Sequence, residues 1–163
     1  MTSTIDTTKV TTRRQLHFNS LDDILADLGL VEQWRDVRAL GNWSPGQILQ
    51  HLAIVMNKSI DGFGNLRPPL WVRVIVRLFF RRRFLTKPMA PGFKLPPEAV
   101  EELVPGPIRL QEGLDNLRQA IRRLQTETTR VPNVVLGPLT IDEWNQLHCR
   151  HSELHLSFLV PAG

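Results

Sequence analysis

Leu110, Leu114, Leu117, Ile121 and Leu124 recur at spacings of four, three, four and three, and no other feature of the 163-residue chain restricts its fold as tightly. A step that alternates between three and four keeps these side chains on one stripe of a 3.6-residue helix. Glu112, Asp115, Arg118, Arg122 and Arg123 occupy the other faces. The segment is therefore a long amphipathic helix that must bury its stripe against other helices. Further helix starts follow the same logic. Ser20 can cap a short helix through Leu21, Ile24, Leu25 and Leu28, with Gly29 placed to end it, and residues 31–40 can continue helically. Ser44-Pro45-Gly46-Gln47 supplies an N-cap oxygen, a proline where no N–H is needed, and a glutamine able to reach back as a capping box. Ile48, Leu49, Leu52, Val55 and Met56 form the apolar side of that helix, which the Asp61-Gly62-Phe63-Gly64-Asn65 cluster closes. Thr140-Ile141-Asp142-Glu143 is a second capping box, opening a last helix expected to reach about Val160. No segment alternates as a half-buried strand does, so the expected fold is all-α: an antiparallel four-helix bundle with extra short helices and a long Pro-rich loop.

The bundle is expected to occupy residues 14–163 as one domain, with residues 1–13 as a disordered leader, since the first twelve residues hold six threonines and no apolar run. The formal charge of +4 conceals a local block. Residues 62–97 contain Arg67, Arg73, Arg77, Arg81, Arg82, Arg83, Lys87 and Lys94 and no acid, which leaves the rest of the chain at −4. A concentrated block of this kind points to one anion-facing surface, with Arg73, Arg77 and Arg81 at successive i, i+4 steps as anion-binding candidates; a solvated face or a dimer rim is the plainer alternative. No nucleic-acid reader motif accompanies the block, so nucleic acid is not an expected partner. The apolar run at residues 71–83 falls far short of the roughly 20 residues a membrane span requires. Trp71, Phe79 and Phe80 are expected to pack in the core or against another subunit rather than on an anionic membrane. Six prolines in residues 87–107 mark a long loop with room for one helical turn at 97–103. Cys149 is the single cysteine and cannot form an internal disulfide, and Arg13-Arg14 is not followed by the apolar stretch of an export signal, so a reducing cytoplasm is the expected location.

The last helix mixes histidines into its apolar face. Trp144, Leu147, His148, His151, Leu154, His155 and Phe158 share one broad stripe. A buried imidazole among leucines needs a partner for its ring nitrogens, and a divalent ion would supply one. His151 and His155, four apart, can present two imidazoles to one ion, and His51 on the Ser44-capped helix is the natural third donor. Well-satisfied core histidines remain the plainer reading of the spacing alone. The His-Ser-Glu-Leu-His order is not that of zinc proteases, because Glu153 is displaced by one residue onto a different face. Cys149 also points away from its histidine neighbours and is expected to serve packing.

GNWSPGQILQHLA, with six residues between Trp43-Ser44 and His51, and LHCRHSELHLSFL, with His151 and His155 four apart, together resemble the DinB-like superfamily. SLDDILADL, KPMAPGFKLP and GPLTIDEWNQLHCRHSELHLSFLVP resemble a bacterial subfamily within it. The resemblance implies an antiparallel four-helix bundle, homodimerisation, and a divalent ion, nickel or zinc, on His51, His151 and His155. It also implies a metal-dependent thiol S-transferase, or a related hydrolase or isomerase, acting with an anionic low-molecular-weight thiol on a small molecule. His148, one turn before His151, stands as an alternative ligand or a supporting donor. The continuation Leu156-Ser157-Phe158 lacks the glycine and glutamine of the family pattern, which keeps a non-catalytic metal-binding module as the alternative.

Overall fold

The computed structural model describes residues 4–93 and 96–162; Lys94 of the basic segment, Leu95, Gly163 and the first three residues of the expected leader lie outside the described residues. The chain is mostly helical, as the apolar spacing requires. In order it forms α1 (Leu21–Gln33), β1 (Val37–Ala39), α2 (Pro45–Asp61), α3 (Leu70–Ile75), a π-helical turn (Val76–Phe80), α4 (Arg81–Thr86), α5 (Pro97–Leu103), α6 (Leu110–Thr126), α7 (Ile141–Leu156) and β2 (Leu159–Pro161). Each of the three capped starts is built locally. Ser20, Ser44 and Thr140 accept a hydrogen bond from the backbone N–H three residues on, and the side-chain oxygens of Asp23, Gln47 and Glu143 accept one from the N–H of the cap residue.

α2 packs along α6; α2 also contacts α7, α6 contacts α1, and α1 contacts α7. The stripe of α6 does what its spacing predicted: Leu114, Leu117, Ile121 and Leu124 are buried against Ile24 and Leu28 of α1 and Leu49, Leu52 and Met56 of α2 within one core. α2 and α6 approach closely at Gly46 and Gly113. A Cβ on Gly113 would stand 2.9 Å from the Gly46 carbonyl oxygen, and one on Gly46 would stand 2.2 Å from that of Ile108. Gly62 closes α2 with φ of 104°, a conformation few side chains tolerate.

Several boundaries differ from the sequence expectation. Gly29 does not end α1, which runs on to Gln33 because Val31 is fully buried and holds that last turn in the core. Residues 37–39 are a strand, not helix, and α7 stops at Leu156. The two ends pair antiparallel as Val37↔Pro161, Arg38↔Val160 and Ala39↔Leu159. Two three-residue strands carry no periodicity of their own; burial of Leu159 and the Leu40 N–H bond to the Phe158 carbonyl hold them.

The stretch read as a leader lies on the body of the protein. Ile5 exchanges two backbone hydrogen bonds with the Asn42 side chain, and Thr7–Lys9 form a short 3-10 turn capped by Asp6. Arg13 sits over the Phe158 ring and donates to Ser157 Oγ, and Arg14 forms a bidentate pair with buried Asp27 while donating to the Leu156 and Leu159 carbonyls. Polar anchors replace the missing apolar residues. Glu153 plays a similar part: it pairs with Arg150 and accepts the Phe18 N–H, turned away from His151 and His155 as its position predicts.

Candidate metal centre

Helices α2 and α7 pack together, and that contact brings His51 beside His151 and His155. The two α7 histidines lie one turn apart with ring centroids 4.6 Å from each other. His51 is 4.6 Å from His155 and 5.1 Å from His151 by the same measure. One ring nitrogen from each of the three lies within 4.8 Å of the others. His51 Nε2 and His151 Nε2 stand 3.3 Å apart. Two nitrogens held about 2.0–2.1 Å from one tetrahedral ion are separated by about 3.3–3.4 Å, so this pair is already at ligand spacing.

The tautomer of His51 is fixed from behind. Its Nδ1–H donates to the carbonyl of Leu103, the last residue of α5, at 2.7 Å. The Nε2 lone pair is thereby left facing His151, as in metal sites where a backbone carbonyl orients the ligand ring. Trp43, immediately before the Ser44 cap, closes one side. It stacks on His155 at 5.6 Å with planes 6° apart and tilts against His51 at 4.9 Å. The sequence showed Trp43 only as part of a resemblance and showed nothing of Leu103; the one available signal for Trp43 was its place two turns ahead of His51.

All three imidazoles are held neutral. Burial lowers the pKa of His51, only partly opposed by its bond to Leu103. Burial, with His51 alongside, brings His155 down to about 3. Burial again dominates at His151, with His155 and His51 adding to it, and places it well below the usual imidazole range. Neutral rings offer lone pairs, which is the form a metal ion takes up. No carboxylate or thiol among the described residues joins the trio.

The other candidates are placed elsewhere. His148 is buried, stacks on Trp144 at 5.3 Å, and has its Nε2 3.1 Å from Ser59 Oγ. Ser59 donates its own proton to the Met56 carbonyl, so it accepts from His148 Nε2–H, and that nitrogen is no ligand. Burial, then the charge of Arg130, lowers the His148 pKa to about 3. Of the arginine row, Arg81 is committed to a bidentate pair with Glu143 at 2.8 and 2.9 Å. Arg77 lays its guanidinium against Gly137, where an added Cβ would stand 2.7 Å away. The Nε atoms of Arg73 and Arg77 are buried without a hydrogen-bond partner. All three arginines are half-buried, and Arg77 and Arg81 turn toward Gly137 and Glu143.

Cys149 is buried in the main core, and burial pushes its thiol up to about 11. The thiolate is the reactive form, so at neutral pH a maleimide should label native Cys149 at least roughly a hundredfold more slowly than the guanidinium-unfolded chain. Equal rates would show that the helix opens freely.

No curated protein and no solved structure matches the chain. The family described as "Protein of unknown function (DUF1569)" matches residues 10–162, nearly the whole span that the core, the two strands and the histidine trio occupy, and the chain belongs to that family.

Proposed function

We propose that this protein binds one divalent metal ion, nickel or zinc, on His51, His151 and His155, and that the four helices α1, α2, α6 and α7 form a DinB-like bundle around it. The observation that carries the reading is the convergence of three neutral ring nitrogens within 4.8 Å, two of them at tetrahedral ligand spacing. The donor set fits zinc or nickel on chemistry as well as distance, because imidazole suits both. Three protein ligands leave positions open to water or substrate. A metal ion bound there would lower the pKa of a coordinated thiol and favour the thiolate. His51, held by Leu103, sets the direction of one ligand. Trp43 walls one side of the site by stacking on the His155 ring. Among the described residues no carboxylate joins the trio, so activation of a thiol or of water there would rest on the ion itself. The same absence also supports the second reading, a metal-binding module without turnover.

Titrating metal-stripped protein with cobalt(II), nickel(II) or zinc(II) tests the site. One equivalent should bind saturably, and cobalt should give the intense visible bands of a tetrahedral nitrogen-rich centre. Absence of saturable binding would remove the proposal. Adding a low-molecular-weight thiol to the cobalt form separates the two readings: a new thiolate-to-metal absorption band indicates an open, reactive position, and an unchanged spectrum at saturating thiol selects the module.

A further inference from the structure

Residues 70–86 form a helix turned inside out. Leu70, Trp71, Leu78 and Phe79 are each 67–74% exposed, and Val74 and Ile75 on the same side are exposed too. Arg81 points the other way, to Glu143 at the start of α7, and Arg77 lies against Gly137. A helix on the outside of a water-soluble domain places its charges outward and its apolar stripe inward. Here the polarity is reversed, and the sequence expectation is corrected in part: Trp71, Phe79 and Phe80 do not pack in the core of this chain. The apolar face is contiguous along two turns of α3 and the π-helical turn, the kind of exposed patch that marks an interaction surface.

Charge separates the occupants this face could take. Arg67, Arg82, Arg83 and Lys87 are exposed at the two ends of the helix, and residues 62–97 hold no acid. A second copy of the chain, meeting the patch across a two-fold axis, would bring these cations against their own copies with no carboxylate from the segment to offset them. An anionic lipid surface offers the complement to both features at once: acyl chains for the aromatic and aliphatic face and phosphate headgroups for the flanking cations. No helix among the described residues is long and apolar enough to cross a bilayer, so the helix would lie in the plane of the interface, where tryptophan is favoured.

We propose that the α3–α4 helix is a membrane-interfacial anchor for anionic lipid, seated through Leu70, Trp71, Val74, Ile75, Leu78 and Phe79. The full-length protein should co-sediment with vesicles of 30% phosphatidylglycerol in phosphatidylcholine, with an affinity at least ~10-fold above that for pure phosphatidylcholine, and high salt should weaken it. A Trp71→Ser/Phe79→Ser variant, at positions 67% and 74% exposed, should lose ~10-fold or more of this binding while keeping its circular dichroism and melting temperature. Arg82→Glu/Arg83→Glu supplies an independent arm and should abolish the preference for anionic vesicles. Failure of the wild-type chain to bind anionic vesicles overturns the proposal, as does undiminished binding by folded Trp71→Ser/Phe79→Ser. A wild-type dimer that the same serine variant converts to monomer, with no vesicle binding by either, assigns the face to a second copy and overturns it equally.

Discussion

Replacing His151 by alanine is expected to weaken zinc or nickel binding by at least about a hundredfold. Loss of an outer-shell partner alone typically costs 10–100-fold, and His151 is a proposed ligand whose Nε2 stands 3.3 Å from that of His51. The measurement that distinguishes a ligand from a merely structural histidine is the stabilisation each protein gains from metal. At a metal concentration a hundred times the dissociation constant, a native-state site adds about 2.7 kcal/mol to the stability of the wild-type chain. His151→Ala should gain almost none of this at the same concentration, yet melt close to the wild type when both are metal-free. His148→Gln gives the opposite pattern. It loses the buried bond to Ser59 and the stacking on Trp144, so it should be less stable in either state while keeping its metal-induced gain. If His151→Ala and wild type shift equally on adding metal, the trio is not the binding site.

How much of this was legible in the sequence depends on whether the cause was local. Capping boxes at Ser44 and Thr140 are decided within four residues, and they form as expected. The stripe of α6 is set by helical period, and its leucines are in the core. The pairing of His151 and His155 follows from one helical turn, whereas the arrival of His51 depends on how α2 meets α7, which the apolar side of the His51 helix suggested and the resemblance specified. Everything that depended on a distant partner was hidden. Trp43 stacks on a residue more than a hundred positions away, the Leu103 carbonyl reaches His51 from α5, and β1 finds β2 at the opposite end of the described chain. The direction of the arginine row was hidden for the same reason: i, i+4 spacing defines a face but not where it points. Glu143 and Gly137, far along the chain, draw that face inward.

The helix contact that positions His51 can be tested without touching the site. Gly46→Ala is expected to destabilise the fold by about 1–3 kcal/mol or more, the range for forcing extra volume into packed structure. Its Cβ would meet the Ile108 carbonyl oxygen at 2.2 Å and the Arg109 carbonyl carbon and oxygen at 2.9 Å. All three are backbone atoms that no rotamer change can move. Alanine does favour the helical state over glycine, by up to about 1 kcal/mol in a helix interior and by less in a first turn, so the clash decides the sign. Gly113→Ala should cost less, since its nearest neighbours lie at 2.9 and 3.0 Å. Gly29→Ala, mid-helix in α1 with nothing within 4 Å, should stabilise by about 0.5–1 kcal/mol. Urea denaturation midpoints should therefore rank Gly29→Ala above wild type, then Gly113→Ala, then Gly46→Ala. The order matters for the metal as well. Relief of the Gly46 clash requires the start of α2 to move away from the 108–109 backbone, and His51 lies five residues along that helix with its Nδ1 held by Leu103. Gly46→Ala should thus weaken metal binding in step with its loss of stability, whereas Gly29→Ala should leave it unchanged. A Gly46→Ala protein as stable as wild type would mean that the approach of α2 to the 108–109 backbone is looser than these distances require.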